Sequence, residues 1–202
     1  LTSLDFEFKL TKTYNPEVYV CQYGESQFNF VSRWCEREGI YYYFAQTWEG
    51  EKVIFTDHNI GHHSLDKIFT NLASGGGDLS LEDYSDAASL YYSPPSGLDT
   101  LHRSEIIKSL TCRQHQLPTK VIVKDHNYER PSLDISGEAE VEPMGRGVKY
   151  LYGEFFYTPE EGSRLAQIRA EEILCNRKEF LGESTVPYMV PGYNFNLSDH
   201  FR

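Results

Sequence analysis

The stretch EGIYYYFAQTWEGEKVIFTD, residues 38–57, sets four rings side by side at Tyr41, Tyr42, Tyr43 and Phe44. A strand points successive side chains to opposite faces, and one wetted on a single side alternates apolar with polar residues. This segment carries rings on both faces. Residues 40–46 and 52–56 read as paired strands, with Gly50 in the intervening TWEGE supplying positive φ to the turn. Ile40, Tyr42 and Phe44 share one face, and Tyr41 and Tyr43 share the other. Each face therefore calls for a cover.

Immediately upstream the period changes. Phe28, Phe30, Val31, Trp34 and Cys35 fall on one arc at about 100° per residue, with Asn29, Ser32, Arg33, Glu36 and Arg37 on the other. Ser26 is placed to accept a hydrogen bond from an orphan backbone N–H one turn in. Gly39 stands where a left-handed C-terminal cap is wanted. Residues 26–38 thus read as an amphipathic helix. Helix, tight turn and hairpin read as one unit, with Ile40, Tyr42 and Phe44 beneath the face that carries Phe28 and Trp34. Burial of each Phe or Trp ring would contribute roughly 1.5–3 kcal/mol.

Outward from this unit, residues 2–12 alternate well. Leu4, Phe6, Phe8 and Leu10 oppose Asp5, Glu7 and Lys9, as in a half-buried strand. TYNPE is a turn and VYVCQY reads as a further strand. Residues 71–100, rich in Gly, Ser and Pro, read as a long loop or inter-domain connection with one short ordered piece. LPTKVIVKDHNYERPSLDISGEAE reads as a hairpin, in which Val121, Val123, Leu133 and Ile135 alternate with polar neighbours, and VKYLYGEFFYT is another aromatic strand region. Thr158-Pro159-Glu160-Glu161 is a helix start, with a cap, Pro at the first position and Glu three residues after the cap. The helix, 159–178, carries an apolar stripe of Ala166, Ala170, Ile173 and Leu174 flanked by Leu165 and Ile168. VPGYNFNL then reads as a turn and a strand.

The chain has 202 residues, room for one large or two small domains. Fifteen Tyr and twelve Phe against two Met favour strands, because flat rings suit a pleated surface. The net charge of −11 repels phosphate, and no Lys/Arg run offsets it, so nucleic-acid binding is disfavoured. The net negative charge is concentrated in residues 1–91, with six Lys or Arg against fourteen Asp or Glu. No apolar run is long enough to span a bilayer, and the first residues show no signal-peptide pattern. With Leu1 in place of Met and a pattern interrupted at Arg202, the sequence is expected to be a piece of a longer chain. Cys21, Cys35, Cys112 and Cys175 are widely spaced and form no CxxC pair. They read as reduced and mostly buried, as in a cytoplasmic protein, with two disulfides as the alternative.

Motifs for chemistry are weak. Asp57, His58, His62 and His63 form the best metal candidate, since His58 and His62 have helical ligand spacing. Asn59, Ile60 and Gly61 make a poor helix, however, and the cluster reads as a loop of solvated histidines. Cys112 and His115 have no accompanying pair, and read as a buried thiol beside a surface imidazole. Glu160 and Glu161 suit a helix dipole, and neither they nor Glu171 and Glu172 have the apolar surroundings of a general acid. No nucleophile elbow, phosphate loop or dinucleotide fingerprint is present. The residues point to no enzyme, and neither a metal nor a cofactor is expected.

Taken whole, VCQYGESQFNFVSRWCEREGIYYYF resembles a signature of the VgrG family, the tip (spike) proteins of bacterial type VI secretion systems. Gln22, Tyr23, Glu25, Ser26, Phe30, Val31, Arg33, Glu36, Glu38, Gly39 and Ile40 through Phe44 match it. VIVKDHNYERPSLDISGEAE is loosely similar to a hairpin of that family, with Asp125, Asn127, Tyr128 and Pro131 in place. GSRLAQIRAEEIL resembles its R-L-A-x-x-R-x-E segment. The resemblance implies a hub like that of contractile phage tails, mainly β with a few helices, with two barrel-like domains. It implies a homotrimer docked on a hexameric tube of the Hcp family, together with baseplate components and effectors. Such a protein is assembled in the bacterial cytoplasm and then injected across the envelope, with no stable membrane insertion by this segment. Expected subdomains are 1–92, with the helix 26–38 and the hairpin 40–56, and 93–202, with the helix 159–178. The structural signature is Ser26, Phe28, Phe30, Val31, Trp34, Gly39, Ile40, Tyr42 and Phe44. The hub of a phage tail or tail-like particle is the alternative, and a glycan-degrading enzyme with sugar-stacking Tyr and Trp is a third.

Overall fold

A computed structural model describes residues 5–47, 50–59, 62–65, 89–94 and 105–200. The strands are β1 (Phe6–Lys9), β2 (Tyr41–Thr47), β3 (Gly50–Thr56), β4 (His63–Ser64), β5 (Ser89–Tyr92), β6 (Ile106–Gln114), β7 (Lys120–His126), β8 (Asp134–Glu140), β9 (Val148–Tyr152), β10 (Lys178–Ser184), β11 (Tyr193–Asn194) and β12 (Asn196–Ser198). The helices are α1 (Gln27–Glu38) and α2 (Pro159–Cys175). Among the described residues the architecture is mainly β, as expected. The sheets run β1-β3-β2, β10-β6-β5-β12, β11-β4 and β8-β7-β9. Among the described residues none of these sheets closes on itself.

The chain divides into two compact units. One comprises Leu1–Cys21, Ile40–Thr111 and Leu181–Arg202, and the other Gln22–Gly39 and Cys112–Phe180. The two units interleave along the sequence. The reason is local. β1 and β2 flank α1 in sequence, yet both pair with β3, one parallel and one antiparallel. α1 instead contacts α2. Helix and hairpin, expected as one unit, therefore fall in different ones. VYVCQY, residues 18–23, forms no strand, against expectation. Val18 and Tyr23 in that stretch are exposed.

Both helices start and stop as their sequences dictate. The Ser26 hydroxyl accepts from Asn29 N–H at 3.1 Å, and Gly39 is left-handed at φ 72°. The Thr158 hydroxyl accepts from Glu161 N–H at 3.3 Å, and the Glu161 carboxylate accepts from Tyr157 N–H at 3.2 Å. α2 ends at Cys175 rather than 178, and Leu174 is exposed. α1 buries only Cys35 of its apolar arc, leaving Phe28 63% exposed and Val31 exposed.

In the second unit, β7 pairs antiparallel with β8 and parallel with β9. Val121, Val123, Ile135, Phe156, Leu165 and Ala166 are buried in the two clusters between this sheet and α2. Contact between helix and sheet is closest at two glycines. A Cβ on Gly137 would lie 2.2 Å from the Gly162 carbonyl oxygen, and one on Gly162 would lie 2.6 Å from the Phe156 ring. Leu65, Leu90, Ile107 and Val186 form the core of the first unit, with Tyr193 and Leu197 packed against them. Within the 71–100 stretch, Ser89–Tyr92 forms strand β5. Residues 71–88 and 95–100 lie outside the described residues.

The four cysteines form no disulfide. Cys35 alone is buried, so the expectation of mostly buried thiols is corrected, with Cys21 and Cys175 exposed. Gly137→Ala must push α2 off β8, and is expected to cost about 1–3 kcal/mol in a urea unfolding midpoint. Ser136→Ala, next to it on the outward face, should stay within about 0.5 kcal/mol.

Candidate interaction surface

Register decides where the four rings go. Phe6 faces Val53 and Phe8 faces Phe55 across the parallel pair, while Tyr42 faces Phe55 and Phe44 faces Val53 across the antiparallel pair. All six side chains therefore stand on one side of the β1-β3-β2 sheet. The rings touch: Phe6–Phe8 at 5.5 Å, Phe8–Phe55 at 5.3 Å, Tyr42–Phe55 at 5.8 Å and Tyr42–Phe44 at 6.3 Å between centroids. Yet Phe8 is 61% and Phe44 47% exposed. This is a contiguous aromatic face open to solvent, the kind of patch that marks a contact surface.

The opposite side is the buried one, reversing the expected assignment. Tyr43 is 4% exposed, and Ile54 and Thr56 are buried with it. Its cover comes from far along the chain. Gly192 lies against the ring so closely that a Cβ there would stand 2.3 Å from Cδ2. His62 stands edge-on to Tyr43 at 5.7 Å and to Tyr41 at 5.6 Å. β1 follows the same inversion, since Glu7 and Lys9 lie on the Tyr43 side, where Glu7 pairs with Lys52 at 3.5 Å. Alternation in the sequence shows both faces, but the covering glycine at 192 carries only a turn-like PGYN as its signal.

The acid–histidine cluster is an assembly of fasteners. Asp57 accepts from Thr11 N–H at 2.8 Å, Lys12 N–H at 2.9 Å, the Thr11 hydroxyl at 3.0 Å and the Tyr14 phenol at 3.0 Å. Burial alone would raise its carboxyl, but these four donors outweigh that and bring it down to about 2. His62 is half-buried rather than solvated, and its Nε2 lies 2.8 Å from the Tyr41 hydroxyl. Among the described residues no group of three or more His, Cys, Asp or Glu side chains is placed to hold a metal. His115 pairs with Glu179 at 3.3 Å. Of the paired glutamates, Glu171 accepts from Gln167 and Glu172 from Arg169.

The signature residues have identifiable work. Glu25 pairs with Arg33 at 2.7 Å, and Glu38 reaches Arg164 of α2 at 2.7 Å. Gly39 lies against Ile168, where an added Cβ would approach to 3.3 Å. Trp34 lies within 5.5 Å of the Arg33 guanidinium and 5.4 Å of that of Arg37. Ser26, Phe28, Phe30, Val31, Trp34 and Gly39 thus fall in one unit, and Ile40, Tyr42 and Phe44 in the other, with Gly39 at the changeover. The Asp125 and Asn127 positions also act locally. Asp125 accepts from Phe155 N–H at 2.6 Å, and the Asn127 amide donates to the Tyr157 carbonyl at 3.1 Å.

The model of the phage tail baseplate hub (GPD) family matches residues 2–202. The chain belongs to that family. It is 27% identical over 202 residues to the type VI secretion system spike protein VgrG1a of Pseudomonas aeruginosa, covering 98% of this chain and 28% of that protein. VgrG1c of the same organism is also 27% identical, with 25% of its length covered. The chain thus spans about a quarter of the length of these curated relatives. Among solved structures, the E. coli c3393 protein superimposes with a TM-score of 0.56 at 18% identity, covering 99% of this chain and 35% of that one. That protein is a component of the type VI secretion system with structural similarity to the T4 bacteriophage tail proteins gp27 and gp5. At that identity the likeness shows the fold alone. The resemblance to spike proteins expected from the signature therefore holds.

Asp57 yields an acid-stability prediction. A carboxyl held below its ordinary 3.8 contributes stability that is fully present above that value and is lost as pH falls through about 2. Asp57→Asn should unfold at lower urea than the parent at neutral pH. That gap should close progressively on acidification, and curves that stay parallel down to about pH 2 would show that the clamp does not form.

Proposed function

We propose that this segment is part of the structural hub at the base of a trimeric spike, and that it acts by assembly rather than by chemistry. The match to the baseplate hub family over residues 2–202 carries the reading. Supporting it is an open face of five rings and a valine on a three-stranded sheet, a surface suited to burial against protein. On this reading the hub docks the spike on a hexameric tube, and the complete protein carries effectors outward. It assembles in the bacterial cytoplasm and crosses the envelope with the injected spike. Among the described residues no helix is long and apolar enough to cross a membrane. The family's description as a phage tail component favours a second reading, the hub of a tail or tail-like particle, which uses the same surface.

A full-length chain carrying both Phe8→Ser and Phe44→Ser tests the assignment. The exposed rings contribute little to the fold, so the thermal midpoint should move little. Sedimentation should show loss of the trimer or of the tube complex. A folded double variant that still forms both would remove the aromatic face from the assembly.

A further inference from the structure

The contacts around His62 go beyond packing. Its ring stands between Tyr41 and Tyr43 of β2, and the next two residues, His63 and Ser64, pair in parallel with Tyr193 and Asn194. Gly192, just before that pair, closes over Tyr43. One imidazole therefore stands where β2, β4 and β11 meet within a single compact unit.

The hydrogen bonds define its protonation state. The Tyr41 hydroxyl donates its only proton to the His58 carbonyl at 2.9 Å. Its oxygen must then accept from His62, so Nε2 bears the hydrogen of the neutral ring and Nδ1 is bare. We propose that His62 is an acid-sensitive latch, fastening β2 to the β4–β11 pair while neutral and loosening that junction when Nδ1 takes up a second proton.

The surroundings oppose the cation. On the β2 side the ring meets two phenols, Tyr41 and Tyr43, while Tyr193 of β11 pairs with the next residue, His63. Burial pushes the phenols of Tyr41 and Tyr193 up, so both stay neutral. From the turn after β3, His58 presents its carbonyl to Tyr41. Asp57 is the nearby described carboxylate, and its charge is already shared among Thr11, Lys12 and Tyr14. Burial accordingly lowers the His62 ring from its ordinary 6.5. A lowered folded value means that the closed form binds the proton less well than the open form. The latch is then at full strength above 6.5 and weakens as pH falls through that value, levelling off once the closed form is itself protonated.

The test is amide hydrogen exchange of residues 63–65 and 193–194 in the 202-residue chain, from about pH 8 to about pH 5, with the His62 ring followed by NMR. After correction for intrinsic exchange, the opening constant of these amides should rise on acidification. Its rise should approach, and never exceed, the ratio of the ring's acid constants in the closed and open states, as linkage requires. His62→Gln, which cannot titrate, should abolish the rise, and Tyr41→Phe, which keeps the ring but removes the acceptor, should raise opening already at neutral pH. A His62 ring titrating at or above its ordinary value, or amide protection that stays flat across the range, overturns the proposal. Both of those readings come from the parent chain, so they decide the matter even where a variant does not fold.

Discussion

Successive side chains of a strand must point to opposite faces, and β2 obeys that constraint with four rings in a row. Tyr43 goes inward with Ile54 and Thr56, and Gly192 leaves room for its ring. Tyr42 and Phe44 are then committed to the other side, whatever the solvent prefers. Parallel pairing of β1 adds Phe6 and Phe8 to that side and puts Glu7 and Lys9 on the interior side. An aromatic surface is thus the geometric complement of a buried tyrosine. A chain that only had to fold could have placed polar residues there at little cost. The rings that stand there instead support the proposed contact with protein.

The second unit rests on a different economy, closeness of backbone. Gly137 and Gly162 bring α2 onto β8 at a distance no side chain tolerates, and Phe156 fills the space beside them. Around that contact the signature segment closes the other side of the helix through Glu38–Arg164 and the left-handed Gly39 against Ile168. A segment that ends a helix in one unit and begins a strand in the other is constrained by both. This accounts for a signature composed of caps, paired charges and rings rather than of reactive groups.

Much of this was legible from local pattern. Ser26 and Gly39 bounded α1, Thr158 with Glu161 opened α2, and the alternation about Val121, Val123 and Ile135 showed the β7–β8 hairpin. These depend on neighbours within a few residues. What was not legible depends on distant partners. Periodicity sorts Tyr42 from Tyr43 but does not say which is covered, because the cover is Gly192 and His62. VYVCQY likewise has a composition that suits a strand, yet none forms over it. The Asp57 cluster has the group types of a metal site because carboxylate and imidazole serve metals and hydrogen bonds alike. Only the positions of Thr11, Lys12, Tyr14 and Tyr41 reveal the second use.

The central claim is that one face of β2 maintains the fold and the other is spent on assembly. Hydroxyl-radical footprinting of the full-length protein, alone and in its assembled particle, addresses it directly. Phe8, Tyr42 and Phe44 should be labelled in the dissociated chain and protected in the particle, with Tyr43 protected in both. Labelling of Phe8 and Phe44 that is unchanged by assembly, or ready labelling of Tyr43 in the folded chain, would contradict the account.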